Sequence, residues 1–362
     1  MTNKDIISLR LQHQLINSSH LMSPAEVVKH MVAMQAQDYR SSLLAIGLRI
    51  SPSVATDECM VEQAVAEKRL VRTWPMRGTL HWVAAEDARW MLKLLAPRVI
   101  QSSQGRHKQL ELDEAVFAKS RIILESNLEG GKPLTRAQIY ALLEQEGIPT
   151  HDQRGIHILG YWAMKGLLCQ GIKRDKNDTF VLMDEWLPRA GELGEEEALA
   201  TLAERYIKSR GPASEYDFAS WAGLKISDAR RGLHMAKPSL EKVIIAGNTF
   251  WLSDRSDNSN SSTNQRAWLL PAFDEMLCGY KDRTALLPND EIKSIILKNG
   301  IFKPVVVLDD RAVGIWQRTI KVNQINVAFS FFNEISSPKK QLIWRKAKSL
   351  ESFFKREIVI AD

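Results

Sequence analysis

The chain has 362 residues, long for one core, with 44% hydrophobic and 25% charged residues and a net charge of +6, an ordinary balance for a globular protein. No apolar run approaches the ~20 residues of a membrane-spanning helix, and residues 1–5 lead straight into an amphipathic pattern rather than a signal-peptide core, so a cytoplasmic location is expected. Cys59, Cys169 and Cys278 are odd in number, far apart and without CxxC spacing, which argues against a disulfide framework and against a zinc site.

In chain order, residues 2–16 show a loose helical pattern at Ile6, Ile7, Leu9, Leu11 and Leu15. Ser23-Pro24-Ala25-Glu26 is a sharper signal, a capping box with proline at the first helical position. The helix it starts turns Val27, Val28, Met31, Val32 and Met34 inward and runs into Gln35-Ala36-Gln37. Residues 42–50 and 56–69 read as two more helices, and the β-rich runs 70–76 and 79–83 about Arg77-Gly78 read as a hairpin. Three helices followed by a hairpin is the order of a winged helix-turn-helix.

The order recurs. Residues 113–128, a segment opened by a second capping box at Thr135 to Gln138, and residues 152–168 predict three helices, followed by strands at 168–172 and 179–182. A third set has helices at 195–209, 214–222 and 227–236 and strands at 242–246 and 249–252. Residues 253–266, rich in Ser, Asn and Asp, read as a flexible loop. Beyond them, strands at 305–308, 312–316 and within 320–332 and a helix over 338–355 predict a small α+β region. The expected fold is mainly α with β-hairpin wings, an α+β arrangement of three tandem winged helix units at 1–112, 113–190 and 191–265 with a C-terminal region at 266–362.

Charge is uneven along the chain. Residues 1–112 hold 14 Lys and Arg against 10 Asp and Glu and residues 266–362 hold 16 against 11, while 113–190 and 191–265 hold 10 against 11 and 9 against 11. If the basic ends converge they could form one positive surface for a polyanion; a solvated basic face is the plainer alternative. Common catalytic signatures such as GxSxG, Walker A and HExxH are absent. His151 and His157 lack ligand company and Asp309-Asp310 reads as a turn, so neither a metal nor another cofactor is expected.

Gln35 and Gln37 stand out for their position. Two residues apart on a continuing helix they would diverge, whereas at a helix end or in extended chain they point the same way. Asp38-Tyr39-Arg40-Ser41-Ser42 supplies groups suited to ending one helix and starting the next, which puts the pair at an inter-helix corner. Asp38 reads as a helix cap, with a role as base the less favoured alternative.

Gln35-Ala36-Gln37, the run Arg72-Thr73-Trp74-Pro75-Met76-Arg77-Gly78-Thr79-Leu80-His81, Arg210-Gly211-Pro212-Ala213-Ser214 with residues 217–224, and Leu269-Leu270-Pro271-Ala272-Phe273-Asp274 with Gly279-Tyr280-Lys281-Asp282-Arg283 resemble the AlkZ-like winged-helix DNA glycosylases of bacteria. The resemblance covers nearly the whole chain. It implies three tandem winged helices in a C-shaped array and excision of N7-alkylated purines, including those in interstrand crosslinks. It also implies a Gln-x-Gln catalytic motif at Gln35 and Gln37. The implied partner is alkylated or crosslinked double-stranded DNA, in a bacterial cytoplasm and on the nucleoid when bound, with a monomer as the expected state.

The residue types suit this chemistry. An N7-alkylated purine already carries positive charge, so its glycosidic bond is weak and its departure needs no acid. Two amide groups could hold the water and stabilise the oxocarbenium-like centre, but cannot accept a proton as a carboxylate could. Activity on cationic lesions and little on uracil is therefore expected. No lysine adjoins the pair, so a Schiff-base step is not expected. Candidate DNA-binding residues are Arg40, Arg72, Trp74, Arg77, His81 and Arg283, with the basic cluster at 339–348 adding charge. The alternative is a non-catalytic winged-helix DNA-binding protein or transcriptional regulator.

Overall fold

A computed structural model describes residues 3–188, 191–245, 247–253, 266–287 and 289–361. The predicted flexible loop therefore lies almost wholly outside the described residues. The fold is mixed α and β, with helices as the larger share, and divides into two compact units: residues 1–61 with 200–362, and residues 62–199. The cuts fall inside the helices Glu58–Ala66 and Glu195–Arg210.

The first unit brings the two chain ends together around the N-terminal helix Asn3–His13. Ile7 and Leu11 pack with Trp268, Leu270, Val305 and Val307 of a five-stranded sheet, while Ile6 packs with Val243, Ile245, Phe250 and Leu252 of the paired strands Glu241–Ile245 and Asn248–Leu252. The sheet runs in the order Glu357–Ile360, Gln324–Phe331, Arg311–Ile320, Val305–Leu308, Ala267–Leu270, antiparallel except for the first pair. Asp309 and Asp310 both have positive φ, 48° and 68°, and form the predicted turn between its central strands. The predicted C-terminal helix is instead two, Ser337–Lys348 and Glu351–Phe354, after which Lys355 turns at φ 52° into the strand Glu357–Ile360. That strand is only four residues long, and its pairing with residues 324–327 supplies what its own pattern could not.

In the second unit, strands run in the order Thr79–Ala84, Leu70–Met76, Leu168–Gln170, Thr179–Leu182, Leu134–Thr135. The hairpin 70–84 thus continues through an Arg72–Gln170 pairing into the strands of the next predicted unit. Its turn is the expected one: Arg77 and Gly78 have φ of 56° and 69°, the mirror-image turn whose twist suits a two-residue hairpin. Pro75, which has no N–H to offer, sits where the register shifts. The helix Ala88–Gln109 was not expected from sequence. It contains Pro97, and beyond Ala96 only His107 is buried, so the apolar stripe that marks a helix is missing over half its length. Three further helices, Glu114–Leu128, Arg136–Gln145 and Arg154–Met164, lie where the patterns place them, the second with its Thr135–Gln138 capping box.

Candidate active site

The helix Pro24–Met31 begins with the Ser23–Glu26 capping box and ends earlier than its apolar pattern suggests. Val32 stops it at φ 64° and ψ −56°, the rarer hand of the γ-turn, and residues 33–35 continue as a short strand. A β-branched residue in this region costs on the order of 1–3 kcal/mol and stays there only where its surroundings hold it. The next helix, Tyr39–Gly47, is capped by Asp38, whose Oδ1 accepts from the Ser41 N–H at 2.9 Å. Gln35, the last residue of the strand, and Gln37, at the bend before the next helix, thus sit between two helices.

Within this corner, Gln35 is buried and Gln37 exposed. The Gln37 N–H donates to Gln35 Oε1 at 2.7 Å, which fixes the amide orientation with its oxygen toward the chain that follows. The Gln35 N–H donates to Glu275 Oε1 at 2.8 Å. Glu275 is 1% exposed, on the short helix Glu275–Cys278 that Asp274 caps, and its Oε2 accepts from Arg210 Nη2 at 2.7 Å and from Trp221 Nε1 at 3.2 Å. Arg210 closes the circuit by donating to the carbonyls of Met31 at 2.8 Å and Ala33 at 2.9 Å, with its guanidinium 4.4 Å from the centre of the Trp221 ring.

A second buried pair adjoins this network. Arg49 donates to both Asp274 oxygens at 2.9 Å and to Gln14 Oε1 at 2.9 Å, and Gln14 Nε2 donates to the Glu275 carbonyl at 3.3 Å. Tyr280, whose hydroxyl donates to the Arg210 carbonyl at 2.8 Å, is pushed up to about 12 chiefly by burial. On the C-terminal sheet, Arg318 lies 4.9 Å from the Phe354 ring centre; burial lowers its pKa against the opposing pull of Asp38 and Glu58. Its Nη1 has no hydrogen-bond partner among the described residues.

The predicted residues therefore fall into two sets. Gln35, Gln37 and exposed Arg40 share one corner of the first unit. Arg283, in the same unit, is half-buried and donates to the carbonyls of Leu277 at 2.7 Å and Lys281 at 3.0 Å. Arg72, Trp74, Arg77 and His81 belong to the hairpin of the second unit, and only Arg77 among them is exposed. Arg72 is buried, donating to Gln170 Oε1 at 2.8 Å and to Asp178 Oδ1 at 3.0 Å. Trp74 stacks against Phe180 with ring centres 6.3 Å apart, and His81, fully buried, bonds the Thr79 carbonyl through Nδ1 at 2.9 Å and faces Arg77 Nη2 through Nε2 at 3.3 Å. Glu275, Arg210 and Trp221 carried no role in the sequence reading. The available signal was a glutamate followed directly by Met276-Leu277-Cys278, since buried carboxylates need partners. Among the described residues, no group of three or more His, Cys, Asp or Glu could hold a metal, and no helix is long and apolar enough to cross a membrane.

Comparison with known proteins converges on one family. The family described as AlkZ-like, DNA glycosylase AlkZ-like, matches residues 28–353. The chain is 28% identical over 338 residues to an interstrand DNA cross-link repair glycosylase of Streptomyces sahachiroi, covering 87% of each chain. The solved structure of Streptomyces sahachiroi DNA glycosylase AlkZ shares the fold, with a TM-score of 0.80 at 22% identity and full coverage of both chains.

Proposed function

Since the chain belongs to the AlkZ-like DNA glycosylase family, and so is a hydrolase of N-glycosyl bonds in DNA, we propose that it excises cationic N7-alkylated purines, with Gln35 and Gln37 holding the attacking water. The observation that carries this reading is the corner itself. Two side chains that cannot ionise stand between two helices, one at the end of a short strand and one at the bend that follows, the first with its amide oriented by the second's N–H. Such a site offers fixed dipoles to a water and to a positive anomeric centre, and offers no acid to a leaving group. A base that departs as a neutral molecule because it was cationic beforehand needs none. Asp38 serves as the cap of the following helix, which supports leaving it out of the proton chemistry.

Unhooking of interstrand crosslinks is included in the proposal, on the likeness to the cross-link repair glycosylase. So is the division into three tandem winged helices, which the threefold recurrence of three helices followed by paired strands supports. For the DNA backbone, exposed Arg40 and Arg77 are the favoured phosphate contacts. Arg72, Trp74 and His81 shape the hairpin that presents Arg77, and Arg283 adds charge from the C-terminal segment. The reaction is monofunctional, leaving an intact abasic site.

Mass spectrometry of bases released from mustard-treated duplex DNA tests the reading. Release of N7-guanine adducts, absence of uracil release from uracil-containing duplex, and loss of about 100-fold or more in rate in Gln35→Ala or Gln37→Ala are expected, the scale seen when one preorganised dipole is removed from an active site. A wild-type protein that releases no alkylated base, or variants as active as wild type, would sink it.

A further inference from the structure

Three backbone groups of the catalytic segment are held by one buried ion pair. Arg210 takes the carbonyls of Met31 and Ala33, and Glu275 takes the N–H of Gln35. These groups sit at alternate residues on either side of and beyond Val32, the strained turn that converts helix into strand. The planar guanidinium has a fixed fork of donors, so it can bridge two carbonyls only when the turn between them is made. The carboxylate then divides its oxygens, one to Arg210 and Trp221, the other to Gln35. A Cβ at Gly279 would lie 2.5 Å from the Glu275 carbonyl oxygen and 3.2 Å from Arg210 Cδ and Nε, so the glycine leaves room for both members.

We propose that Arg210 and Glu275 are positioning residues that set Gln35 for catalysis by holding the chain in the turn at Val32. The inference rests on the reading of Gln35 as a water-holding residue. Both members of the clamp are fully buried, so they act on the backbone of the segment and touch neither water nor base. Without the clamp, Val32 relaxes to an ordinary backbone conformation, and the direction in which the Gln35 side chain leaves the backbone changes with it. A shift of about 1 Å at a reacting group costs on the order of 100-fold in rate.

Single-turnover excision of 7-methylguanine and DNA affinity would be measured for Arg210→Lys and Glu275→Gln, each alone and combined with Val32→Gly. The single variants should lose about 100-fold in rate with Kd for DNA changed less than about 3-fold. Adding Val32→Gly should return about 10-fold, because glycine adopts positive φ without strain and makes the turn unaided. A purely architectural pair gives the opposite sign. Val32 is a buried core residue, so its loss would deepen a stability defect. Single variants at wild-type rate, or double variants slower than the singles, overturn the clamp.

Gln35→Ala in the same assay separates the two readings. If it is inactive while the clamp variants are fully active, only the clamp fails; if it is fully active, the catalytic reading fails first. Should the clamp variants not fold, hydrogen exchange on the unaltered protein decides. The Gln35 amide should exchange with the slowest amides of the unit, and exchange at a loop-like rate overturns the inference.

Discussion

The glutamine corner at residues 31–38 and the hairpin at residues 70–84 both carry predicted site residues, yet their backbones are set by different means. The hairpin takes its register locally: Leu70, Val71, Arg72 and Thr73 face Ala84, Val83, Trp82 and His81 about a two-residue turn, to which Arg72 adds longer ties to Gln170 and Asp178. The corner is held by groups far away in sequence, with bonds from Gln35 to Glu275 and from Arg210 to Met31 spanning 240 and 179 positions. Arginine shows the same contrast. In the first unit Arg49 and Asp274 are both wholly buried, whereas in the second Arg72 is buried but its partner Asp178 is one-third exposed and shared with Lys173. A local element can tolerate the loss of one polar tie. A corner assembled from distant groups depends on each of them.

The difference sets the size of several effects. Arg49→Met strands the Asp274 carboxylate in the core and should cost about 3–5 kcal/mol, the range for a broken buried pair. Arg72→Met leaves Asp178 with Lys173 and partial solvent, so about 1–3 kcal/mol is expected. Urea midpoints measure both, and an equal loss from the two variants would break the comparison.

Acid should act on both units. Burial lowers the pKa of His13 and His30 in the first and of His107 and His157 in the second. The unfolded chain therefore binds protons first, and stability is present above the ordinary histidine value near 6.5 and falls as pH drops below it toward the folded values. A urea midpoint that stays flat between pH 7 and 5 would show that these rings do not titrate differently on folding. His30 is the sharper probe, since it lies on the helix that leads to the glutamine corner and its Nε2 bonds the His13 carbonyl at 2.7 Å.

The smallest change in stability should come from Arg77→Asn. Asparagine tolerates positive φ, so the turn survives and stability shifts by less than about 0.5 kcal/mol. If Arg77 meets a phosphate, the slope of log affinity against log salt should become shallower by about 1. An unchanged slope removes it from the DNA-binding set.

Sequence alone determined the elements whose cause is local. Ser23–Glu26 and Thr135–Gln138 cap helices, Arg77-Gly78 and Asp309-Asp310 turn hairpins, and each does so through bonds or dihedrals within four residues. It also determined that Gln35 and Gln37 stand where a helix has ended, because Asp38 and Ser41 announce the next one. Tertiary structure decided what holds them there. Val32 reads as one more apolar position of a helix, and its turn is stable only because a guanidinium and a carboxylate arrive from 178 and 243 residues later to bond the chain on either side. Hydrophobic period and capping act over a single turn of chain and can be read along it; a buried ion pair has no period, and its partners become visible only when the fold brings them together.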